Sequence, residues 1–376
     1  ALGYKVYRVG IDKNISKDNK SNKHPSDFLK VSQELLENEK LKVEFDRESG
    51  LITNFYDKDN GLNFIRKGAQ PVVINDPSDT WSHDQSRYDN IINSFKVQEI
   101  KIVENGPVRG RIRIKSSYGE SQVWQDFILN SHSKKLRCKV KILWYEKRKM
   151  LKLIFPTVLE NIETTYEIPY GHITRTNDGN EEPGLSWVDI NGEIGDRKYG
   201  LSLINNSSYS YDIRDSKIRM TVLRNPVYAH HQPYELSKKK DYEYTDEGRH
   251  DLTYELIPQS GDWKSGDLFR RGQSLLNPLI GRPTYNHDGE YKQEKKLIRI
   301  DGDNVILSTL KKARNSDEMI IRILETKGEK TETSIDLPFL RFSQKIKIDP
   351  YELKTLKIPL KKDGKDFYFT NFRKKE

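Results

Sequence analysis

The chain has 376 residues, of which 34% are hydrophobic and 32% are charged, and its 65 Lys and Arg residues exceed its 56 Asp and Glu residues by nine. The single cysteine, Cys138, excludes an intramolecular disulfide and a zinc site built on several thiolates, and it fits a reducing compartment, so we expect a cytoplasmic location. Both signs of charge are mixed almost everywhere and no long apolar run occurs, so we expect no nucleic-acid partner and no membrane partner.

The first 26 residues combine a strand-like segment with a polar connection. The chain begins "ALGYKVYRVG", without Met, so we expect a piece of a longer protein. Residues 11–26 are rich in Lys, Asn, Asp and Ser and contain one Pro, which is typical of an exposed linker. We therefore assign residues 1–26 to the terminal strand of a preceding small β domain plus a linker.

Alternation of apolar and polar residues predicts β-strands along most of the remaining chain. "LKVEFD" and "LITNFYD", joined by "RESG", have the pattern of a β-hairpin. Successive side chains of a strand point to opposite sides, so "VRGRIRIK" has an apolar face formed by Val108, Gly110, Ile112 and Ile114. The apolar face of "LRCKVKILW", which predicts a buried thiol, is formed by Leu136, Cys138, Val140, Ile142 and Trp144.

One segment, "SGDLFRRGQSLLNP" at residues 265–278, predicts a helix. Ser265 is a candidate N-cap and Pro278 is a natural stop. Its apolar face is expected to comprise Leu268, Phe269, Leu275 and Leu276. A single short helix among many strands predicts an all-β fold.

The composition also predicts a division near the end of this helix. Residues 277–294 contain prolines, glycines and polar residues, as expected of a connection between domains. Residues 303–360 hold about five predicted strands, enough for a small immunoglobulin-like β-sandwich. The predicted domains are a large β domain at residues 27–282 and a small C-terminal β-sandwich at residues 283–376.

Three polar clusters that include aromatic residues are candidates for a binding site. They are "NDPSDTWSHD" at residues 75–84, "LRNPVYAHH" at residues 223–231 and "TDEGRHD" at residues 245–251. Carboxylates and imidazoles can bond vicinal hydroxyls, and an indole can pack on the C–H face of a sugar ring. This composition therefore indicates carbohydrate binding. The candidates in the first cluster are Asp76, Asp79, Trp81, His83 and Asp84.

Structural roles remain open for several of these residues. Asp76 and Asp79 fit Asx-turns, and Trp81 is large enough to fill a core. Asp246 and His250 would share one face of a helix, but the intervening glycine argues against a helix and so against a metal pair.

No self-sufficient catalytic motif is present in the sequence. It contains no Gly-rich phosphate loop, no G-x-S-x-G elbow and no H-E-x-x-H motif. A buried Cys138 is unsuited to act as a nucleophile. Paired carboxylates for glycoside hydrolysis lie roughly 5–10 Å apart, and the sequence alone cannot place any two together. Composition and motifs alone therefore do not indicate which reaction, if any, the chain catalyses.

Many separate segments, in order from residue 2 to about residue 359, resemble the C-terminal β region of bacterial-type α-mannosidases of glycoside hydrolase family 38. In the first half these are "LGYKVYRV", "LENEKLKVEFDRESGLITNFYDKDNG", "NDPSDTWSHD", "ENGPVRGRIRI" and "LKLIFP". In the second half they are "YEIPYGHITR", "GLSLINNSSYSYDI", "LRNPVYAHH", "TDEGRHDLTYELIP", "NPLIGRP" and "DPYELKTLKI".

The resemblance implies a large galactose-mutarotase-like super-sandwich followed by a small immunoglobulin-like sandwich. Members of the family are retaining exo-α-mannosidases in which an N-terminal α/β barrel carries a zinc ion and an Asp nucleophile, and a helical segment follows. We find no counterpart of these elements in the chain, so we expect no catalytic residue and no metal ligand in it, and no activity from the chain alone. The expected partners are the barrel and helical segment of the same protein and a mannoside substrate. Homo-oligomerisation is left open.

The resemblance also implies that loops of this region reach the edge of the substrate pocket. The expected substrate-binding residues are Asp79, Trp81, His83, Asp84, Arg224, Asp246 and His250. In the isolated chain we expect the loop 79–84 to be exposed and mobile. In the whole enzyme we expect Asp79→Ala to lower activity without unfolding the β region.

The chain departs from the family pattern between Tyr228 and Asp246, where it has a longer polar connection. The adjacent His230 and His231 fall in this connection and would point to opposite sides of a strand, so neither receives a role.

Two other functions remain open. A self-standing carbohydrate-binding or scaffold module would be favoured if the natural gene began with Met near Ala1. A mutarotase-like epimerase would need a general acid and a general base on a sheet face, for which His83 and His172 are candidates.

Overall fold

A computed structural model describes residues 2–8, 29–83, 85–230, 235–285 and 287–360, together with the backbone of residues 368 and 369. The predicted linker at 11–26 lies outside the described residues, as do Asp84 and His231. The chain divides into two compact units. The larger comprises residues 21–168 and 172–278, and the smaller comprises residues 1–20, 169–171 and 279–376.

The described residues form 29 strands and one α-helix. The first fifteen strands are β1 (Gly3–Lys5), β2 (Lys30–Ser32), β3 (Leu35–Glu37), β4 (Leu41–Phe45), β5 (Ile52–Asp57), β6 (Leu62–Asn63), β7 (Gln70–Asn75), β8 (Ile91–Ser94), β9 (Lys96–Asn105), β10 (Arg109–Tyr118), β11 (Ser121–Asn130), β12 (Leu136–Trp144), β13 (Lys149–Pro156), β14 (Glu160–Ile168) and β15 (Gly171–Arg175). The others are β16 (Glu182–Pro183), β17 (Trp187–Ile194), β18 (Arg197–Asn205), β19 (Ser210–Arg214), β20 (Lys217–Arg224), β21 (Gly248–Ser260), β22 (Glu294–Lys296), β23 (Arg299–Ile300), β24 (Val305–Lys312), β25 (Glu318–Glu325), β26 (Thr331–Leu337), β27 (Phe342–Ile348), β28 (Leu353–Pro359) and β29 (Tyr368–Phe369). The helix is α1 (Leu268–Leu276), and a 3-10 turn occupies Pro338–Leu340.

Three sheets build the larger unit. A nine-stranded sheet has the order β15-β14-β17-β18-β21-β12-β11-β10-β9. A six-stranded sheet, β16-β19-β20-β13-β7-β8, and a five-stranded sheet, β2-β3-β4-β5-β6, contribute to the same hydrophobic core. The predicted hairpin is β4 paired antiparallel with β5. All three sheets thus share one sandwich interior.

The core follows from strand alternation. All five residues of the predicted apolar face of β12, Cys138 among them, are buried as expected. Trp144, Phe127 and Phe155 are large side chains that are almost completely excluded from solvent. Burying such a side chain contributes roughly 1.5–3 kcal/mol, so this interior is the main source of stability. Val108 is an exception to the expected pattern: it lies beyond the end of the strand and is 69% exposed.

Helix α1 covers part of the outer face of the nine-stranded sheet. Leu268 and Phe269 are buried, and the Phe269 ring lies 5.3 Å from that of Trp187 on β17. The prediction that Leu276 joins this face is wrong, because it is the last residue of the helix and is 40% exposed. Ser265 is also not the cap: its hydroxyl donates to the carbonyl of Asp262, and Asp267 occupies the cap position without a side-chain bond.

The outer face of the six-stranded sheet is polar beneath the segment that follows β7. Lys152 on β13 is fully buried, and its ammonium contacts the carboxylates of Glu181 and Asp212. Arg219 lies 3.2 Å from Asp212 and donates to the carbonyl of Tyr88. Because an unpaired buried charge is costly, these pairs keep Lys152 and Arg219 in place, and the bond from Arg219 to Tyr88 connects the segment after β7 to the sheet.

The smaller unit is a β-sandwich with its own core. Sheets β23-β26-β27 and β24-β25-β28-β29 enclose it, and β1 pairs with β22. The core residues include Val305, Ile321, Ile335, Ile346 and Leu356. The predicted all-β fold, a large sandwich followed by a small one, is confirmed. Within the described residues, no helix has both the length and the apolar character needed to cross a membrane.

A buried carboxylate makes the stability of the larger unit pH-dependent. Asp189 on β17 accepts hydrogen bonds from Ser202 at 2.6 Å and from Gln259 at 3.0 Å. Burial raises the pKa of its carboxyl to about 7, and the bond from Ser202 only partly offsets this. The neutral acid is therefore the prevailing form of Asp189 in the folded chain below about pH 7.

We expect Asp189→Asn to remove part of this pH dependence. Because the folded pKa is above the unfolded value, the free energy of unfolding should fall as pH rises from about 4 to about 7. The Asn variant keeps the acceptor oxygen but carries no proton to lose. Relative to the parent chain it should gain about 1 kcal/mol or more between pH 5 and pH 8, measured by urea unfolding. A constant difference between the two chains would contradict this assignment.

Candidate functional site

The three polar segments singled out in the sequence meet at one end of the larger unit. Asp79 forms a parallel bridge with Val227, and Val227 forms an antiparallel bridge with Tyr244. The amide of Ala229 donates to the Thr80 hydroxyl at 3.1 Å. We call residues 76–83, 224–230 and 243–250 the end cluster.

Sheet topology explains why these segments converge. Strands β7 and β20 both pair antiparallel with β13, on its two sides. They therefore run in the same direction and end at the same edge of the sheet. Asp76 directly follows β7, and Arg224 is the last residue of β20. The two side chains meet there although they are 148 residues apart in the chain.

Arg224 is the centre of the end cluster. Its Nε and Nη2 atoms donate to the two carboxylate oxygens of Asp76, each at 2.9 Å. It also donates to the Ser82 hydroxyl and to the carbonyl of Asp79. The guanidinium carbon lies 4.8 Å from the ring centroid of Tyr88. Most N–H groups of the Arg224 guanidinium thus donate hydrogen bonds within the end cluster, and these bonds position the loop after β7.

Electrostatics favour the charged form of Arg224. Burial lowers the pKa of the Arg224 guanidinium, but the hydrogen bonds and charge of Asp76 outweigh it, so the net pKa is raised. Burial raises the pKa of Tyr88, whose ring lies against that guanidinium. A bidentate pair of this kind is both strong and directional.

The loop after β7 has a buried first half and an exposed second half. Asp76, Ser78 and Asp79 are buried, so the prediction that the side chain of Asp79 is exposed is wrong. Asp79 accepts the amide N–H of Trp81 at 2.9 Å, which is the Asx-turn alternative. Trp81 is 58% exposed, so it does not fill a core. His83 is exposed, and its ring lies 6.2 Å from that of Trp81.

The third segment supplies backbone contacts. His250 is half-buried on β21, and its Nε2 lies 2.9 Å from the carbonyl oxygen of Asp246. The Asp246 carboxylate is on an exposed residue, so the two residues meet through the main chain. Across the described parts of the chain, no group of three or more His, Cys, Asp and Glu side chains could hold a metal ion.

One contact of the end cluster was not apparent from the sequence. The ring of Tyr88, which lies outside the three segments, packs on Arg224. Tyr228 belongs to the second segment and is 58% exposed beside the loop. The amide of Tyr228 donates to the carbonyl of Glu243. Tyrosines are frequent along the whole chain, so no local signal marks Tyr88. The result, for the residues that the structure describes, is a fixed polar centre bordered by exposed aromatic rings, an arrangement that can bind a sugar.

The two histidines considered for an epimerase have different surroundings. The His172 ring packs 4.3 Å from that of Trp263 beside helix α1. Burial, and then the charge of Lys264, lowers the pKa of His172. His83 lies instead in the end cluster, next to Trp81.

We expect a large coupling energy between Asp76 and Arg224. Removing either partner should destabilise the larger unit by about 3 kcal/mol, because the other charge remains buried. The double variant Asp76→Ala/Arg224→Ala should lose clearly less than the sum, in a cycle measured by urea unfolding. The exposed pair Arg249–Asp251 is the control, with expected coupling of at most about 1 kcal/mol. Additive losses at Asp76 and Arg224 would exclude the central role of this pair.

Comparisons with known proteins agree on one family. The model of the glycosyl hydrolases family 38 C-terminal domain matches residues 36–234, more than half of the chain. The model of the family 38 C-terminal beta sandwich domain matches residues 304–356.

Relatives and solved structures support the same match. Alpha-mannosidase G of Dictyostelium discoideum is 23% identical over 352 residues, which is 82% of this chain and 31% of that protein. Alpha-mannosidase 2C1 of Homo sapiens is 26% identical over 219 residues, 55% of this chain and 19% of that protein. The chain thus spans about a third or less of these curated relatives.

The fold is also similar to that of a solved protein. A glycosyl hydrolase family 38 protein from Enterococcus faecalis superposes with a TM-score of 0.71 at 15% identity, covering 88% of this chain and 44% of that one. Taken with the family models, this means that the chain belongs to glycoside hydrolase family 38 and represents its C-terminal region.

Proposed function

We propose that this chain is the C-terminal part of a retaining exo-α-mannosidase, and that its end cluster forms one edge of the pocket for terminal α-linked mannose. The observation that carries the proposal is the convergence of three separate segments on Arg224, with exposed Trp81 and Tyr228 beside it. An edge of this kind needs a rigid frame and exposed aromatic rings, and the end cluster has both.

The role of the end cluster follows from its chemistry. The indole of Trp81 offers an apolar surface to the C–H face of a sugar ring, and Tyr228 offers a second ring with a hydroxyl. Arg224 and Asp76 hold the loop in one conformation, so little conformational entropy is lost when a sugar binds. His83 and Asp246 are exposed, and in this proposal their side chains contact hydroxyl groups of the sugar.

The bond-breaking chemistry belongs, in this proposal, to a preceding catalytic domain. Retention requires a carboxylate nucleophile and a carboxylic acid/base about 5 Å apart, and we assign both to that domain. The zinc ion of the family is assigned there too, since the described residues supply no donor set for it. This chain then packs on the catalytic domain and completes its pocket.

The isolated 376-residue chain is expected to show no turnover of an aryl α-mannoside above the buffer rate. The same chain expressed in continuity with its catalytic domain should release the aryl group. Turnover by the isolated chain would contradict the assignment of the chemistry to the preceding domain, and would reopen the self-standing alternatives.

In the whole enzyme, Trp81→Ala should lower kcat/KM for an aryl α-mannoside by about tenfold, equivalent to about 1.4 kcal/mol. Trp81 is chosen because its side chain is exposed, so the thermal midpoint should not change. Asp79→Ala would remove a buried turn as well, and so mixes stability with activity. Phe339→Ala, at an exposed aromatic residue of the smaller unit, is the control and should leave both quantities unchanged. Unchanged kinetics in Trp81→Ala would return the loop to a purely structural role.

A further inference from the structure

A second candidate site lies on the outer face of the nine-stranded sheet. Helix α1 covers this face over β17 and β18, but the strands β10, β11 and β12 present it to solvent. A groove of about 490 Å³ runs there. Its lining includes Arg113, Trp124, Asp126, Lys139, Lys141 and Asp251. None of the residues assigned to the end cluster's sugar contacts is among them.

Trp124 is the aromatic centre of the groove. In the sheet register it lies between Lys115 on β10 and Lys141 on β12. The two ammonium nitrogens stand 5.6 Å and 5.0 Å from its ring centroid. Cation–π contacts at such distances hold the lysines beside the indole. A half-exposed aromatic ring flanked by cations is the result.

The charges of the groove do not cancel. Asp126 is held by Arg113 through bonds of 2.6 Å and 2.8 Å, and Arg111 approaches it at 3.6 Å. Asp251 pairs with Arg249 at 2.7 Å. Both carboxylates are thus neutralised by arginines.

Three lysines remain in excess. Across the described ranges, Lys115, Lys139 and Lys141 form no ion pair with a carboxylate. They surround Trp124 on neighbouring strands, within about two strand spacings of roughly 5 Å each. The groove therefore combines a sugar-compatible aromatic ring with a local positive potential.

We propose that this groove binds an anionic glycan, a sugar chain that carries sulfate, phosphate or carboxylate groups. The lysines would pair with the acidic groups, while Trp124 would pack on a sugar ring. The site requires no catalytic domain, so it is independent of the function proposed above and can be tested on the 376-residue chain itself.

The experiment is affinity electrophoresis of the chain through gels that contain dextran sulfate, neutral dextran or polyglutamate at 150 mM salt. We expect dextran sulfate to bind at least tenfold more tightly than either of the other polymers. Trp124→Ala and the double variant Lys139→Ala/Lys141→Ala should each weaken this binding at least fivefold. Trp124→Phe, which keeps a ring, should retain most of it, and also serves if Trp124→Ala does not fold.

The matched control is Lys311→Ala/Lys330→Ala, which removes the same charge from exposed positions of the smaller unit. It should leave binding unchanged. Equal binding of polyglutamate and dextran sulfate, or an equal loss in the control, would reduce the effect to general ion exchange and overturn the proposal. Equal binding of neutral dextran would remove the requirement for an acidic ligand and overturn it as well.

Discussion

The ion pair between Arg224 and Asp76 is the interaction on which the end of the large sandwich depends. It connects the segment after β7 with the end of β20 through two bonds of 2.9 Å. The same guanidinium accommodates Ser82, the Asp79 carbonyl and the ring of Tyr88. Without it, the desolvated Asp76 carboxylate would lose its partner, and the loop that presents Trp81 would lose its frame.

The outer faces of the two largest sheets are covered by different kinds of contact. Part of the nine-stranded sheet is covered by helix α1 and the stacked rings of Trp187 and Trp263. The six-stranded sheet lies under the segment of Tyr88, and its outer face contains the buried ammonium of Lys152 with its two carboxylate partners. Buried pairs of this sort are weak evidence for added stability, since desolvation offsets their attraction. Their consequence here is geometric: Arg219, which pairs with the same Asp212, also holds the carbonyl of Tyr88 in the overlying segment.

The fold could be predicted from the sequence because strand alternation is a local signal. The apolar face of β12 and the β4–β5 hairpin were predicted from this alternation, and the apolar face of residues 265–278 predicted the helix that the structure has at Leu268–Leu276. The helix cap was not, because Ser265 closes a preceding turn with its hydroxyl. The sequence pattern does not distinguish Ser265 from Asp267 as the residue at the cap position.

The candidate site could be predicted only as a set of segments. Their composition identified residues near Asp79, Arg224 and His250, and the structure brings these segments together. What each side chain does depends on partners far away in sequence. Arg224 turns inward because Asp76 lies across the sheet edge, and Asp79 is buried because Val227 pairs beside it. Such pairings form only when the sandwich closes, so the residues next to each partner in the sequence do not predict them.

The buried Cys138 has a consequence for how this protein can be observed. It is the only thiol in the chain, it lies in the interior of the large sandwich, and burial raises its pKa well above the ordinary value. A thiolate is the species that alkylating reagents attack, so the native chain offers them neither access nor reactivity. Labelling of Cys138 therefore reports opening of the sandwich itself, and is silent to movements of its loops. The rate at which Cys138 is labelled therefore measures how often the large sandwich opens.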